Sequence, residues 1–216
     1  IVQTEEFSNS DNLPENLEKS LTAINDFFSL NTIIPRERFH CIVSQPTEIQ
    51  FDGLSIRIFS SSPQTRSHVF KQLRQFSVLP SEQEKKLQYL KKIDAAMNNC
   101  SLILQIKFFG KTILLPGDTN AAGLENLLKT CPSNLKADIF KIGHHGQADS
   151  INAELLDAIS PGIVICSASN DGRYGSFNAI VQDELRKRDI IFARTDPDLS
   201  AESARHGIEI TVDQQS

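Results

Sequence analysis

The chain of 216 residues contains no run of 18 apolar residues, so no transmembrane helix is expected in it. Cysteine is scarce: Cys41, Cys100, Cys131 and Cys166 are the four, and no two form a C-x-x-C pair. That spacing argues against a zinc ribbon or a thioredoxin-like redox motif, and a chain of this length needs no disulfide staple. Basic excess is also absent. Lys+Arg number 22 against 27 Asp+Glu, a net charge of −5, which excludes a surface that is basic throughout. A phosphate site must then be local or assisted by a metal. The chain has no G-x-x-x-x-G-K-[ST], which argues against a P-loop nucleotidase. It has no G-x-S-x-G elbow, and Cys131 beside Pro132 has no evident base, so a Ser or Cys hydrolase is not expected. Ile1-Val2-Gln3-Thr4 shows neither a basic stretch nor an apolar run, so no signal peptide is read and a cytoplasmic location is expected. The missing initiator Met points to a processed chain or the later part of a longer one.

What is present fits an ordinary globular chain, with 39% hydrophobic and 23% charged residues. Leu17, Leu21, Ile24 and Phe28 recur at helical spacing after Leu13-Pro14, which predicts an amphipathic helix. Phe39–Val43 reads as a strand. Alternating Ile49 and Phe51, then Asp52-Gly53, then Leu54, Ile56 and Ile58 predict a hairpin. After the loop Ser60–Pro63, helices are expected near His68–Phe76 and from the capping pair Ser81 and Glu84 to Met97. The second of these is rich in Lys (Lys85, Lys86, Lys91, Lys92), which suits a solvated face or the steering of a polyanion. Strands then alternate with helices: Leu102–Phe108, Thr112–Leu115, a helix to Lys129, Asp138–Ile142, Asn152–Ile159, Ile163–Cys166, Ala179–Lys187, Ile190–Ala193 and Gly207–Val212. A hairpin followed by this alternation implies an α/β fold with helices stacked on a mixed sheet.

Two places could carry chemistry. Asp118 lies just past the apolar strand Ile113-Leu114-Leu115, where open α/β sheets place ligands, although it could simply cap the next helix. His144 and His145 lie past another apolar strand, between Gly143 and Gly146, which allow a sharp turn and close ligand approach. Imidazole and carboxylate suit Zn2+, Fe2+ or Mn2+. Two such ligands are too few for a catalytic ion, and His40, His68 and His206 are scattered.

Four segments in this order carry a resemblance: Asn98-Asn99-Cys100-Ser101-Leu102-Ile103-Leu104, Ile113-Leu114-Leu115-Pro116-Gly117-Asp118, Lys141-Ile142-Gly143-His144-His145-Gly146 and Asn170-Asp171-Gly172-Arg173-Tyr174-Gly175. Over roughly residues 35–213 the chain resembles the C-terminal half of metallo-β-lactamase-fold hydrolases, nearest the branch in ComEC-type DNA-uptake proteins and their stand-alone relatives. The resemblance implies an α/β fold of the αββα sandwich type, one domain over 1–216, with its N-terminal part lacking here. It implies a catalytic set of Asp118, His144 and His145. Asp118 matches the carboxylate that bridges two zinc ions (manganese being the alternative), and His144 matches the late His ligand of the second ion. His145 then faces the substrate or supports the site, with the reverse assignment of the two histidines open. Tyr174 or Arg173 is expected to donate to the substrate's oxygens, and Asn98 and Asn99 fall near where many members place a His ligand of the first ion.

The activity implied is hydrolysis of a phosphodiester, in nucleic acid or a nucleotide-like molecule, by a metal-activated hydroxide. The family's H-x-H-x-D-H is missing from this chain and is expected upstream of Ile1 or on a partner chain. This chain alone is therefore expected to bind metal weakly. Gln147 stands where the family has Ser, and Ser176-Phe177 where it has His-Pro. These departures favour the alternative of a metal-free interaction or regulatory domain. An incomplete sandwich would leave apolar residues such as Ile49, Phe51 and Leu102 bare.

Overall fold

The computed structural model describes residues 46–77, 83–130, 135–168 and 175–195, with 208, 210 and 211. The helix expected around Leu17–Phe28 and the strand Phe39–Val43 lie outside the described residues. So does most of the strand expected over Gly207–Val212, of which Ile208, Ile210 and Thr211 are described and are not in a strand. The described residues fall into two compact units, one holding 63–97 and the other holding 46–62 with 98–195.

The first unit is a pair of helices packed on each other, α1 (Pro63–Ser77) and α2 (Gln83–Met97). Helix α1 begins at Pro63, ahead of the start expected near His68. Proline at a first helical position has φ preset and loses no intrahelical donor, so Pro63 opens the helix instead of ending a loop. Val69 and Phe76 are buried in α1, as are Leu90 and Ile93 in α2.

The second unit is built on one seven-stranded sheet in sequential order: β1 (Thr47–Phe51), β2 (Leu54–Phe59), β3 (Ile103–Phe108), β4 (Lys111–Leu115), β5 (Ile139–Lys141), β6 (Ile163–Cys166) and β7 (Ile191–Arg194). The first four strands are antiparallel and β4 to β7 are parallel. The expected hairpin forms at Asp52-Gly53, with Ile49 opposite Ile56 and Gly53 at φ 72°. The β3–β4 turn is Phe109-Gly110, both left-handed at φ 47° and 75°, the twist that suits a two-residue hairpin.

The parallel strands are joined through α3 (Ala121–Thr130), α4 (Ala153–Ile159) and α5 (Ala179–Arg186). Because β4 to β7 follow one another as neighbours, like-handed crossovers put all three helices on one sheet face. Leu124, Leu155, Leu156, Ile159, Val181 and Leu185 meet Phe59, Ile103, Leu114, Phe140 and Val164 there in one core. Each such side chain contributes about 1.5–3 kcal/mol by leaving water. Asn152 and Asn178 cap α4 and α5 by accepting from Leu155 N and Ile180 N, both at 3.0 Å. Arg188, just after α5, reaches back to Asp157 on α4 at 2.8 Å.

The opposite face is apolar but open at its antiparallel end. Phe51 is 60% and Ile49 39% exposed, and Leu102 beside β3 is 52% exposed, as expected for them. The mixed α/β layering is compatible with an αββα sandwich.

Candidate functional site

The chemistry-bearing residues sit in loops at the carboxyl ends of β4, β5 and β6. After β4 the chain turns through Pro116-Gly117-Asp118-Thr119, closed by Thr119 N donating to Pro116 O at 3.2 Å. Gly117 is left-handed at φ 61°, and a Cβ there would lie 2.9 Å from Ser101 Cβ. Ser101 Oγ accepts from Asp118 N at 3.3 Å, so the backbone is held while the carboxylate stays about half exposed.

After β5 the loop is tighter. His144, His145 and Gly146 are three consecutive left-handed residues, at φ 44°, 51° and 67°. For the two histidines this costs about 1–2 kcal/mol each, a strain that a fold keeps only where neighbours impose it. The neighbours are present. Gly146 N donates to Gly143 O and Gln147 N to His144 O, both at 3.0 Å. Cys166 Sγ donates to His145 O at 3.4 Å. Gly143 lies so near the β4 loop that a Cβ would stand 2.1 Å from Thr119 O. This contact locks the two loops together.

Both imidazoles are tied by Nδ1. His145 Nδ1 lies 2.7 Å from Ser167 O, and a carbonyl can only accept, so Nδ1 carries the proton. His144 Nδ1 lies 2.9 Å from Asp149 Oδ1. Asp149 is itself placed by Asn120, whose Nδ2 donates to its other oxygen at 3.2 Å, and Asn120 N donates to Asn99 Oδ1 at 3.1 Å. With Nδ1 of each ring engaged in this way, Nε2 is the nitrogen left to face a metal. His145 Nε2 lies 3.5 Å from Asp118 Oδ1.

The imidazole facing Asp118 is thus that of His145, whereas His144 turns to Asp149. Arg173 and Tyr174 lie outside the described residues, as do Cys41 and Cys131. Asn99 supports the β4 loop through Asn120. Asp149, Asn120 and the Ser167 carbonyl escaped the sequence reading. Only the presence of a carboxylate five residues after the first histidine hinted at any of them. Burial pushes the Cys166 thiol up to about 11, against the smaller opposing pull of Lys141 and Arg194, which favours the protonated thiol that donates to His145 O. Among the described residues no group of three His, Cys, Asp or Glu is placed for a single ion. Among them also, no helix is long and apolar enough to cross a membrane.

No protein-family model matches the chain. Two curated relatives do. Over 102 residues it is 34% identical to ComE operon protein 3 of Bacillus subtilis (strain 168), covering 47% of this chain and 13% of that protein. Over 99 residues it is 30% identical to Competence protein ComA of Neisseria gonorrhoeae, covering 46% of this chain and 14% of that protein. The chain is therefore similar, across just under half its length, to a small part of these two bacterial proteins, one of them named for competence.

Proposed function

We propose that this chain carries part of the metal site of a phosphodiester hydrolase, acting on nucleic acid or a nucleotide-like molecule, with a role in DNA uptake. The 3.5 Å between His145 Nε2 and Asp118 Oδ1 carries the reading. Two ligands of one tetrahedral ion, bonded at about 2.0–2.1 Å, stand about 3.3 Å apart. The donors fit Zn2+ or Mn2+: one carboxylate and two imidazoles whose other nitrogens are held by a carboxylate and a carbonyl. Asp118 and His145 would hold one ion, and His144, which is not grouped with them around that ion, would be left as a donor to a second one. A bound ion would activate water and offset negative charge developing on phosphate oxygens. The protein's own part is to fix three side chains on two interlocked loops, so that little reorganisation is left for the reaction. The competence relative supports the nucleic-acid setting.

The test is hydrolysis of bis-p-nitrophenyl phosphate by the intact protein, with Zn2+ or Mn2+ and with a chelator. Turnover that needs metal and falls at least about a hundredfold in Asp118→Ala supports the reading. Metal-independent turnover overturns it, and a protein without metal or turnover in which Asp118→Ala changes nothing replaces it with a metal-free interaction domain.

A further inference from the structure

We propose that the free edge of β1 pairs with β1 of a second copy of this chain, antiparallel about a two-fold axis at Ile49. The sheet ends at β1, whose five residues are all exposed, and among the described residues no strand lies beyond it. Native sheet edges are commonly blunted by Lys, Pro or a bulge. Thr47-Glu48-Ile49-Gln50-Phe51 has none of these, and its register with β2 is unbroken from Thr47–Ile58 to Phe51–Leu54.

The outward backbone groups fix the register. Phe51 and Leu54 close a two-residue turn as a hydrogen-bonded pair, so by alternation Thr47, Ile49 and Phe51 bond to β2. The N–H and C=O of Glu48 and Gln50 then point away from the sheet. An antiparallel copy centred on Ile49 sets Glu48 opposite Gln50 of the other copy, and each such pair exchanges both backbone bonds. Ile49 meets Ile49 as the intervening non-hydrogen-bonded pair, where side chains come closest. Phe51 stands opposite Thr47, an aromatic against a β-branched residue, and the charge of Glu48 meets an amide and no like charge. Pro46, with no N–H to give, ends the pairing.

The apolar face calls for the same partner. One isoleucine from each of the seven strands lies in a single row across the sheet, from Ile49 and Ile56 to Ile163 and Ile191. At the β1 end the row stops with Ile49 39% exposed and Phe51 60% exposed beside it. A second copy carries the row across the axis and covers both side chains. A two-fold contact needs a surface complementary to itself, and these five residues supply one, which favours a second copy over a foreign strand.

The contact uses neither metal nor Asp118, His144 and His145, so it is tested in chelator, where the hydrolase reading plays no part. The measurement is the molar mass of the full chain by sedimentation equilibrium over a series of concentrations. The unsubstituted chain should pass reversibly from one copy to two. Ile49→Lys and Ile49→Glu each set like charges opposite one another at the axis, and each should raise the dissociation constant at least about tenfold. Mixed in equal amounts the two variants should dimerise again, because the axis then joins opposite charges. Gln50→Pro removes an outward N–H without touching the ladder to β2, and it should weaken the dimer in the same way. A chain that stays single at every concentration overturns the proposal and leaves the edge to a strand of another protein. So does dimerisation that none of the three variants weakens, or an equal mixture of folded Ile49→Lys and Ile49→Glu that stays single.

Discussion

His145 and Asp118 face each other across 3.5 Å from the ends of two neighbouring parallel strands, and His145's other ring nitrogen is held by the Ser167 carbonyl at 2.7 Å. The tautomer follows from the acceptor. Long-range 15N correlation spectra should show the proton on Nδ1 in neutral His145 and His144. Asp149→Ala should release His144 into a mixture of tautomers and leave His145 as it was. A proton on Nε2 of His145 in the unsubstituted protein would show that its lone pair does not face Asp118.

Gly143→Ala tests the lock between the loops. The new methyl would meet backbone, the Thr119 carbonyl at 2.1 Å, which no rotamer can relieve. Overpacking of this kind costs about 1–3 kcal/mol. The urea midpoint should fall accordingly, whereas Gly162→Ala, where a Cβ has no neighbour closer than 3.8 Å, should change it far less. Equal effects at the two positions would mean that the close approach is not as described.

Much of this architecture is legible in residue patterns. The Asp52-Gly53 hairpin, the Ile163–Cys166 strand and the alternation that follows all rest on period and turn chemistry, which act locally. The place of the site is legible for the same reason, since Asp118 and the histidine pair each follow an apolar strand. The facing of the two histidines is not. It depends on left-handed φ at two non-glycine residues, which no periodicity encodes, and those angles are imposed by Ser167, Asp149 and Cys166 from later in the chain. The early start of α1 was hidden by a Ser/Pro stretch whose composition suits a loop and a helix opening alike.

The Cys166 thiol predicts an alkaline limb of stability. Its value is raised from 9.0 to about 11 by burial, so the folded state keeps the proton after the unfolded chain has lost it. Its contribution is full below about pH 9 and is lost as the pH climbs toward about 11. Between about pH 8 and about pH 10.5 the unsubstituted protein should lose more stability than Cys166→Ala, as read from urea midpoints. Parallel losses in the two proteins would show that this thiol is not desolvated.

The most direct measurement of the central claim is Zn2+ binding to this chain by isothermal titration, compared among the unsubstituted protein, Asp118→Ala, His145→Ala and His68→Ala. Asp118 and His145 are the two donors at ligand spacing, while His68 lies exposed on α1. One weak binding event is expected, which Asp118→Ala and His145→Ala each weaken at least about tenfold and which His68→Ala leaves intact. The same affinity in all four proteins would contradict it.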